Sequence, residues 1–278
     1  MSEAAGGEAY PVALASFTAR SVGRLVRAPS RARAALGRRR LARQTVGLIA
    51  GTAVLAAILM LTLDVPVISA MPTRGAPELW PARFITDFGK SEYVLWTSGV
   101  LVLLTVVVAP AFAGTRRAQW AALNVRFSFI FLAVAVPNMA GEVLKGLIGR
   151  GRPFVGGAAN AFNFSPLTWS PQFASLPSAH AITAFSLAFA VAAVWPRTRY
   201  VMAAYAVLII LSRIVLLAHH PSDVVAGGVV GVIGAMAVRQ WFAARRLGFM
   251  ITADGRINPL PGPSIASLRG VAVGAAAS

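Results

Sequence analysis

Residues 46–63 and 93–114 contain no charged side chain. Backbone N–H and C=O groups in a run that long and apolar need a solvent that tolerates the side chains, and a lipid bilayer is one. About 20 mostly apolar residues cross its hydrocarbon core as a helix, with every backbone hydrogen bond made internally. The runs are continuous rather than alternating, which selects helices over a barrel. Six stretches fit: about 45–63, 93–114, 123–148, 179–195, 199–218 and 222–242. The whole composition agrees, at 57% hydrophobic and only 13% charged, roughly half the charge of a soluble domain. The expected class is an all-α polytopic membrane protein with six transmembrane helices, spanning 44–243.

Basic residues set the expected orientation. Nine arginines lie in residues 1–43 against Glu3 and Glu8, and the net charge is +17. With six spans, these arginines share a side with Arg116, Arg117, Arg197, Arg199, Arg239, Arg245 and Arg246. That side is expected to be the cytoplasm, with both termini there, in a bacterial inner (plasma) membrane. Residues 1–43 are read as a basic tail leaning on anionic lipid rather than as a nucleic-acid-binding arm, since they hold Pro29 and few aromatics and abut a span. The first span reads as uncleaved, because more than 40 residues precede it and no small-x-small site follows. Residues 244–278 read as a flexible tail, with Pro259, Pro261 and Pro263 close together.

The opposite side holds loops 64–92, 149–177 and 219–221. In 82–89, Phe84, Ile85 and Phe88 share a helical face and Gly89 stands where such a helix would end, so a short interfacial helix is expected. Loop 149–177 carries Phe154, Phe162, Phe164, Trp169 and Phe173. It reads equally well as a lid and as a set of interfacial anchors. Arg150 and Arg152 lie on this outer side against the charge rule, which implies a role other than topology. The glycines of the last span, Gly227, Gly228, Gly231 and Gly234, allow close helix packing, within the bundle or between subunits.

Polar groups gather at the outer ends of spans three to six. Lys145, Arg152, Ser178, His180, Ser212, Arg213, His219 and Asp223 come from about 80 residues of chain. Between Tyr93 and Ala253 only Glu142 and Asp223 carry negative charge, and the three histidines, His180, His219 and His220, all lie here. Charge inside a span costs several kcal/mol and marks function or a buried pair. Arg213 lies roughly 9 Å inside the outer end of span five at helical rise, where Asp223 or Glu142 would be its partner. Glu142 stands three residues before Lys145, placed to pair with it or to tune the pocket. Three cations against two carboxylates leave a positive pocket suited to phosphate, whose geometry matches the arginine fork. The helix start at Ser178 offers backbone N–H groups to the same anion. There is no cysteine, which excludes disulfides, thiolate metal sites and a cysteine nucleophile.

Three blocks, Lys145 with Arg152–Pro153, "PSAH" at 177–180, and Ser212–Arg213 with His219 and Asp223, resemble in order the motifs of the type 2 phosphatidic acid phosphatases (PAP2). That family shares its fold with vanadium haloperoxidases and bacterial acid phosphatases. The resemblance implies a PAP2-like helical core and a lipid phosphatase acting through a phosphohistidine. His219 fits the nucleophile spacing and His220 does not. Asp223 would accept a hydrogen bond from the second ring nitrogen of His219. His180 would protonate the leaving oxygen and then activate water. Lys145, Arg152, Ser178, Arg213 and the backbone N–H of Ala179 would hold the phosphoryl oxygens, each donor worth about 3–4 kcal/mol of barrier. One departure stands out: Ala179 replaces the motif's glycine, keeping the N–H but losing access to positive φ. One neutral and one protonated histidine imply a bell-shaped pH–rate profile. No cofactor or metal is expected, and the partners are a lipid phosphate substrate and membrane lipid, not nucleic acid. A phosphotransferase, a catalytically silent lipid-phosphate binder, a transporter and a haloperoxidase are the competing readings. A transporter fits poorly, because its polar groups would sit near the midplane.

Overall fold

The structure is a computed structural model that describes residues 9–29 and 31–261. Nine α-helices, four single-turn 3₁₀ helices and one hairpin are present among the described residues. The α-helices and strands are α1 (Tyr10–Val26), α2 (Arg31–Thr62), α3 (Asp64–Ala70), α4 (Trp80–Asp87), α5 (Ser91–Val108), α6 (Gly114–Ile148), α7 (Ala179–Val194), α8 (Arg199–Val215) and α9 (Pro221–Ala244), then β1 (Phe249–Ile251) and β2 (Ile257–Pro259). The six expected spans correspond to α2, α5, α6, α7, α8 and α9. Five helices are long and apolar enough to cross a membrane, and α7, with 16 residues, is a shorter apolar helix. The chain is a helical integral membrane protein.

The bundle is built around α9. Its glycine face packs inside the bundle, against α7 and α6, rather than outward. A Cβ added at Gly227 would stand 2.5 Å from the Ser178 carbonyl oxygen, and one at Gly234 would meet the Pro137 ring carbons from 2.5 Å. Backbone-to-backbone approach of this kind is what small residues provide in a membrane, where no hydrophobic effect presses helices together. It brings the N-termini of α7 and α9 side by side, and the Ser178 N–H donates to the Asp223 carbonyl at 3.1 Å.

Helix α6 is 35 residues long, roughly 52 Å at helical rise, and so extends beyond the expected 123–148 to include Arg116 and Arg117. It ends at Gly149, whose φ of +61° is the left-handed C′ conformation that closes a helix. The Gly149 N–H returns to the Lys145 carbonyl at 2.8 Å. The chain therefore turns sharply just after Lys145 and aims Arg150 back into the bundle.

The described residues on either side of the six spans carry structure of their own. Residues 10–26 are a helix and 31–43 already belong to α2, so most of the basic segment is helical. In α1, Ala13 and Phe17 are buried four residues apart, one turn of a helix, while the arginines face outward. Counting charge hides that period. The Trp241 indole donates to the Leu25 carbonyl at 3.0 Å, and the Arg27 guanidinium donates to the Arg245 carbonyl, tying α1 to the end of α9. After α9, residues 249–259 form a hairpin where a flexible tail was expected. Phe249 and Ile251 enter the core, and the Phe249 ring packs edge-on to Phe129 at 4.7 Å between centroids. Residues 262–278, including Pro263, lie outside the described residues, as do Glu3 and Glu8.

Candidate active site

The site forms where the N-termini of α7 and α9, the C-termini of α6 and α8, helix α4 and the loop 149–177 meet. Asp223 is its buried anchor. It sits in the first turn of α9, after Pro221 at N1, and its carboxylate caps that helix. One oxygen, Oδ2, accepts from the His220 backbone N–H at 2.8 Å, the His220 ring Nδ1 at 3.1 Å and the Ser175 hydroxyl at 2.6 Å. The other, Oδ1, accepts from the Arg150 guanidinium at 2.6 Å.

This corrects one expectation. Asp223 was to accept from the ring of His219, but His219 Nδ1 lies 3.8 Å from Oδ2, beyond hydrogen-bonding distance. His219 Nδ1 instead meets the backbone carbonyl of Ser175 at 2.9 Å. A carbonyl only accepts, so Nδ1 carries the proton and the Nε2 lone pair is free. Asp223 orders His219 at one remove, by fixing Ser175 through its hydroxyl. His219 lies in the turn between α8 and α9, where burial, followed by repulsion from Arg213 and Arg152, outweighs Asp223 and lowers its pKa to about 4. The imidazole is therefore neutral at pH 7. His220 is fully buried, with Nδ1 engaged by Asp223.

Behind Asp223 stands an ion network that the sequence reading missed. Arg150 is 0% exposed and bridges two fully buried carboxylates, Asp64 at 2.7 Å and Asp223 at 2.6 Å. Its remaining N–H groups reach the Ala161 carbonyl at 3.1 and 2.8 Å and the Ser222 hydroxyl at 2.6 Å. The Ser222 N–H and hydroxyl both donate to Asp64. A buried guanidinium between two carboxylates is stable only when saturated in this way. The one sequence signal for it was that Arg150 breaks the charge rule. Asp64 gave none, because loop 64–92 holds Asp64, Glu78, Asp87 and Glu92 against Arg74, Arg83 and Lys90 and nothing local sets one carboxylate apart.

The residues expected to hold phosphate lie at this same end of the bundle, the cations each with partners of their own. Arg213 pairs with neither Asp223 nor Glu142. Its NH1 donates to the Thr86 hydroxyl of α4 at 2.8 Å, and its Nε is buried without a partner. Helix α4 is thus the short helix expected at 82–89, and it braces the site. Arg152 is held across the loop mouth by the Pro171 carbonyl at 2.9 Å and the Ala218 carbonyl at 3.3 Å. Lys145 is nearly buried and pairs with the exposed Glu142 at 2.6 Å. Ser178 is the N-cap of α7, yet its buried hydroxyl makes no hydrogen bond. The first intrahelical bond of α7 runs from the Ile182 N–H to the Ser178 carbonyl, which leaves the N–H groups of Ala179, His180 and Ala181 with no acceptor inside the helix. Ala179 is helical with ordinary negative φ, so the position asks for no glycine. His180 Nε2 is buried and unpartnered, within electrostatic reach of Arg213, His219 and Lys145.

Loop 149–177 is a folded strap. Gly151 N–H bonds the Asn163 carbonyl at 2.8 Å, Ser165 N–H that of Gly149 at 2.7 Å, Arg152 N–H that of Gln172 at 2.9 Å and Ser175 N–H that of Arg150 at 3.0 Å. Its aromatics divide by task. Phe164 lies under the Arg150 guanidinium at 5.8 Å, whereas Trp169 and Phe162 are largely exposed.

Fold and site together define an integral membrane protein with histidines and cationic side chains gathered at one end of its helix bundle. The sequence profile of the PAP2 superfamily matches residues 126–247, which include all three motif blocks. Lipid A 1-phosphatase of Rhizobium johnstonii is 30% identical over 198 residues, covering 70% of this chain and 80% of that protein. Its Rhizobium etli counterpart is 29% identical over 201 residues, covering 72% and 85%. The bacitracin transport permease protein BcrC of Bacillus licheniformis is 28% identical over 172 residues, 60% of this chain and 81% of that one. Among solved structures, the transmembrane PAP2 type phosphatidylglycerolphosphate phosphatase from Bacillus subtilis shares the fold, with a TM-score of 0.51 and 22% identity over 70% of this chain and 94% of that chain. The chain belongs to the PAP2 superfamily and is a phosphatase of that type.

Proposed function

We propose that the protein hydrolyses a lipid phosphate through a phosphohistidine on His219, without a metal ion, at the outer face of a bacterial inner membrane. The observation that carries this reading is a set of buried, unpartnered polar atoms, Ser178 Oγ, His180 Nε2 and Arg213 Nε, beside the free N–H groups of α7. Buried polar atoms without partners cost free energy and imply a ligand that satisfies them. Here the ligand accepts hydrogen bonds and carries negative charge. The relatives named for lipid A 1-phosphatase activity favour a phosphorylated glycolipid as substrate.

In this scheme the His219 Nε2 lone pair attacks phosphorus and the P–O ester bond breaks. His180 gives its proton to the departing oxygen. Neutral His180 then takes a proton from water, whose oxygen attacks the phosphohistidine. The P–N bond breaks, inorganic phosphate leaves and His219 is restored. Lys145, Arg152, Arg213, Ser178 and the Ala179 N–H hold the equatorial oxygens as charge builds. Asp223 acts through Ser175 and the His220 cap, as a positioning residue.

The test is phosphate release from a panel of lipid phosphates in detergent, with chelator present, by the wild type, His219→Ala and His220→Ala. One lipid is expected to be turned over with EDTA present, and His219→Ala to abolish its turnover. A dead His220→Ala beside an active His219→Ala would reverse the nucleophile assignment. Loss of activity on chelation, restored by Mg²⁺, would refute metal independence. A folded wild type that moves phosphate only to an added lipid acceptor would make it a phosphotransferase.

A further inference from the structure

Helix α4 lies outside the residues that match the superfamily profile, yet it abuts two side chains of the site. A Cβ added at Gly89, just beyond its end, would stand 2.6 Å from the Ile209 side chain and 3.2 Å from the His180 ring. The Tyr205 hydroxyl of α8 donates to the Phe88 carbonyl at 2.8 Å, and Ile85 packs against the cluster of Ala184, Ala206 and Ile209 between α7 and α8. These contacts seat α4 on α8 and bring Thr86, itself only 6% exposed, to the Arg213 guanidinium. The partner that Arg213 finds there is neutral. Thr86 Oγ1 accepts from Arg213 Nη1 at 2.8 Å, and Arg213 forms no ion pair among the described residues. Asp87, one position on, is paired with Lys90 at 2.8 Å. A carboxylate in the place of Thr86 would engage both arms of the guanidinium fork and cancel its charge. A hydroxyl takes one N–H, and it leaves the charge and the other donors, the buried and unpartnered Nε among them, for an anion.

We propose that Thr86 is a positioning residue: its hydroxyl anchors Arg213 with the charge uncancelled, so that the guanidinium meets the phosphoryl group already oriented. The inference rests on the phosphatase reading above and adds to it a residue from outside the three motif blocks. A long arginine side chain left free would have to be ordered as negative charge builds, whereas a donor fixed beforehand needs no reorganisation. Thr86 exerts this effect through Arg213 alone.

The experiment uses full-length protein in detergent micelles. It measures kcat and KM for the panel lipid that the wild type hydrolyses, and the affinity for inorganic phosphate by ³¹P NMR titration. Thr86→Val keeps the branched shape and removes the hydroxyl. It is expected to lower both kcat/KM and phosphate affinity about tenfold, the scale of one hydrogen bond to a charged group, and Thr86→Ser is expected to restore both. Thr86→Asp, which offers Arg213 a carboxylate, is expected to weaken phosphate binding more than Thr86→Val does. In an Arg213→Ala background, Thr86→Val is expected to change phosphate affinity no further. If Thr86→Val lowers phosphate affinity by the same factor with and without Arg213, Thr86 supports only the fold and the proposal fails. It fails equally if Thr86→Asp binds phosphate as the wild type does, because a neutral anchor is then not required. If no lipid in the panel is hydrolysed while phosphate binding follows the expected pattern, the phosphatase reading falls and the positioning of Arg213 stands.

Discussion

At the scale of single residues, what separates His219 from His220 is the acceptor each ring finds. His219 Nδ1 faces a carbonyl, whereas His220 Nδ1 faces a carboxylate that also caps a helix. ¹⁵N-histidine NMR in micelles is expected to show His219 as the Nδ1–H tautomer at pH 7, titrating near 4 rather than near 6.5. The sign follows from the depressed value: the ring is neutral, and able to attack, above pH 4, and that capacity is lost as pH falls through it. An Nε2–H tautomer would remove the lone pair that the mechanism requires. The expected bell-shaped profile then has its acid limb near 4. Arg150 supplies a stability test. Arg150→Met leaves Asp64 and Asp223 facing each other in a buried site without a counter-charge, and breaking such a pair costs about 3–5 kcal/mol. Urea unfolding in micelles, followed by tryptophan fluorescence, measures it; a loss below about 1 kcal/mol, the range of an exposed ion pair, would mean that the network is solvated.

Helices α7 and α9 act as one element because glycine lets them touch. Gly227 faces the carbonyl of Ser178 itself, so the contact that packs the helices also sets the distance between the N-terminus of α7 and the histidine turn. Gly227→Leu is expected to push them apart, cost about 1–3 kcal/mol as overpacking does, and lower kcat far more than its effect on stability alone would suggest. Retention of wild-type kcat by a folded Gly227→Leu protein would show that the spacing of α7 and α9 does not set the site. By contrast, Ala179 begins α7 with helical φ, so the missing motif glycine leaves the backbone donor where it is needed.

For the whole molecule, the long axis of the bundle separates two chemistries. One end holds the site, while the other holds α1, the hairpin and most of the arginines. This arrangement gives the topology proposal a direct test, because the chain has no cysteine and single cysteines can be introduced against zero background. In intact cells, a membrane-impermeant maleimide is expected to label Phe162→Cys in the strap, and to label Arg256→Cys in the hairpin turn only after lysis. The reverse pattern would place the site on the cytoplasmic side.

The spans, the three motif blocks and the short helix beside them were legible in the sequence, because apolar runs and motif spacings are local properties of a chain. Helix α1 was legible in principle, through the one-turn spacing of Ala13 and Phe17, but the arginines around it drew the reading elsewhere. The partners of the site residues were not legible. Asp64 lies 86 residues from Arg150, and Arg213 lies 127 from Thr86. A hydrogen bond at such separations leaves no trace in local pattern. The sequence by itself therefore determined that this chain spans a membrane and gathers histidines and cations at one face. Only the tertiary structure decided that Asp223 serves His220 and Ser175, that the Ser175 carbonyl holds His219 as the Nδ1–H tautomer, and that Arg150 holds the site from behind. The physical reason is that hydrogen-bond partners are chosen by distance in space, which packing sets after the local pattern has fixed the helices.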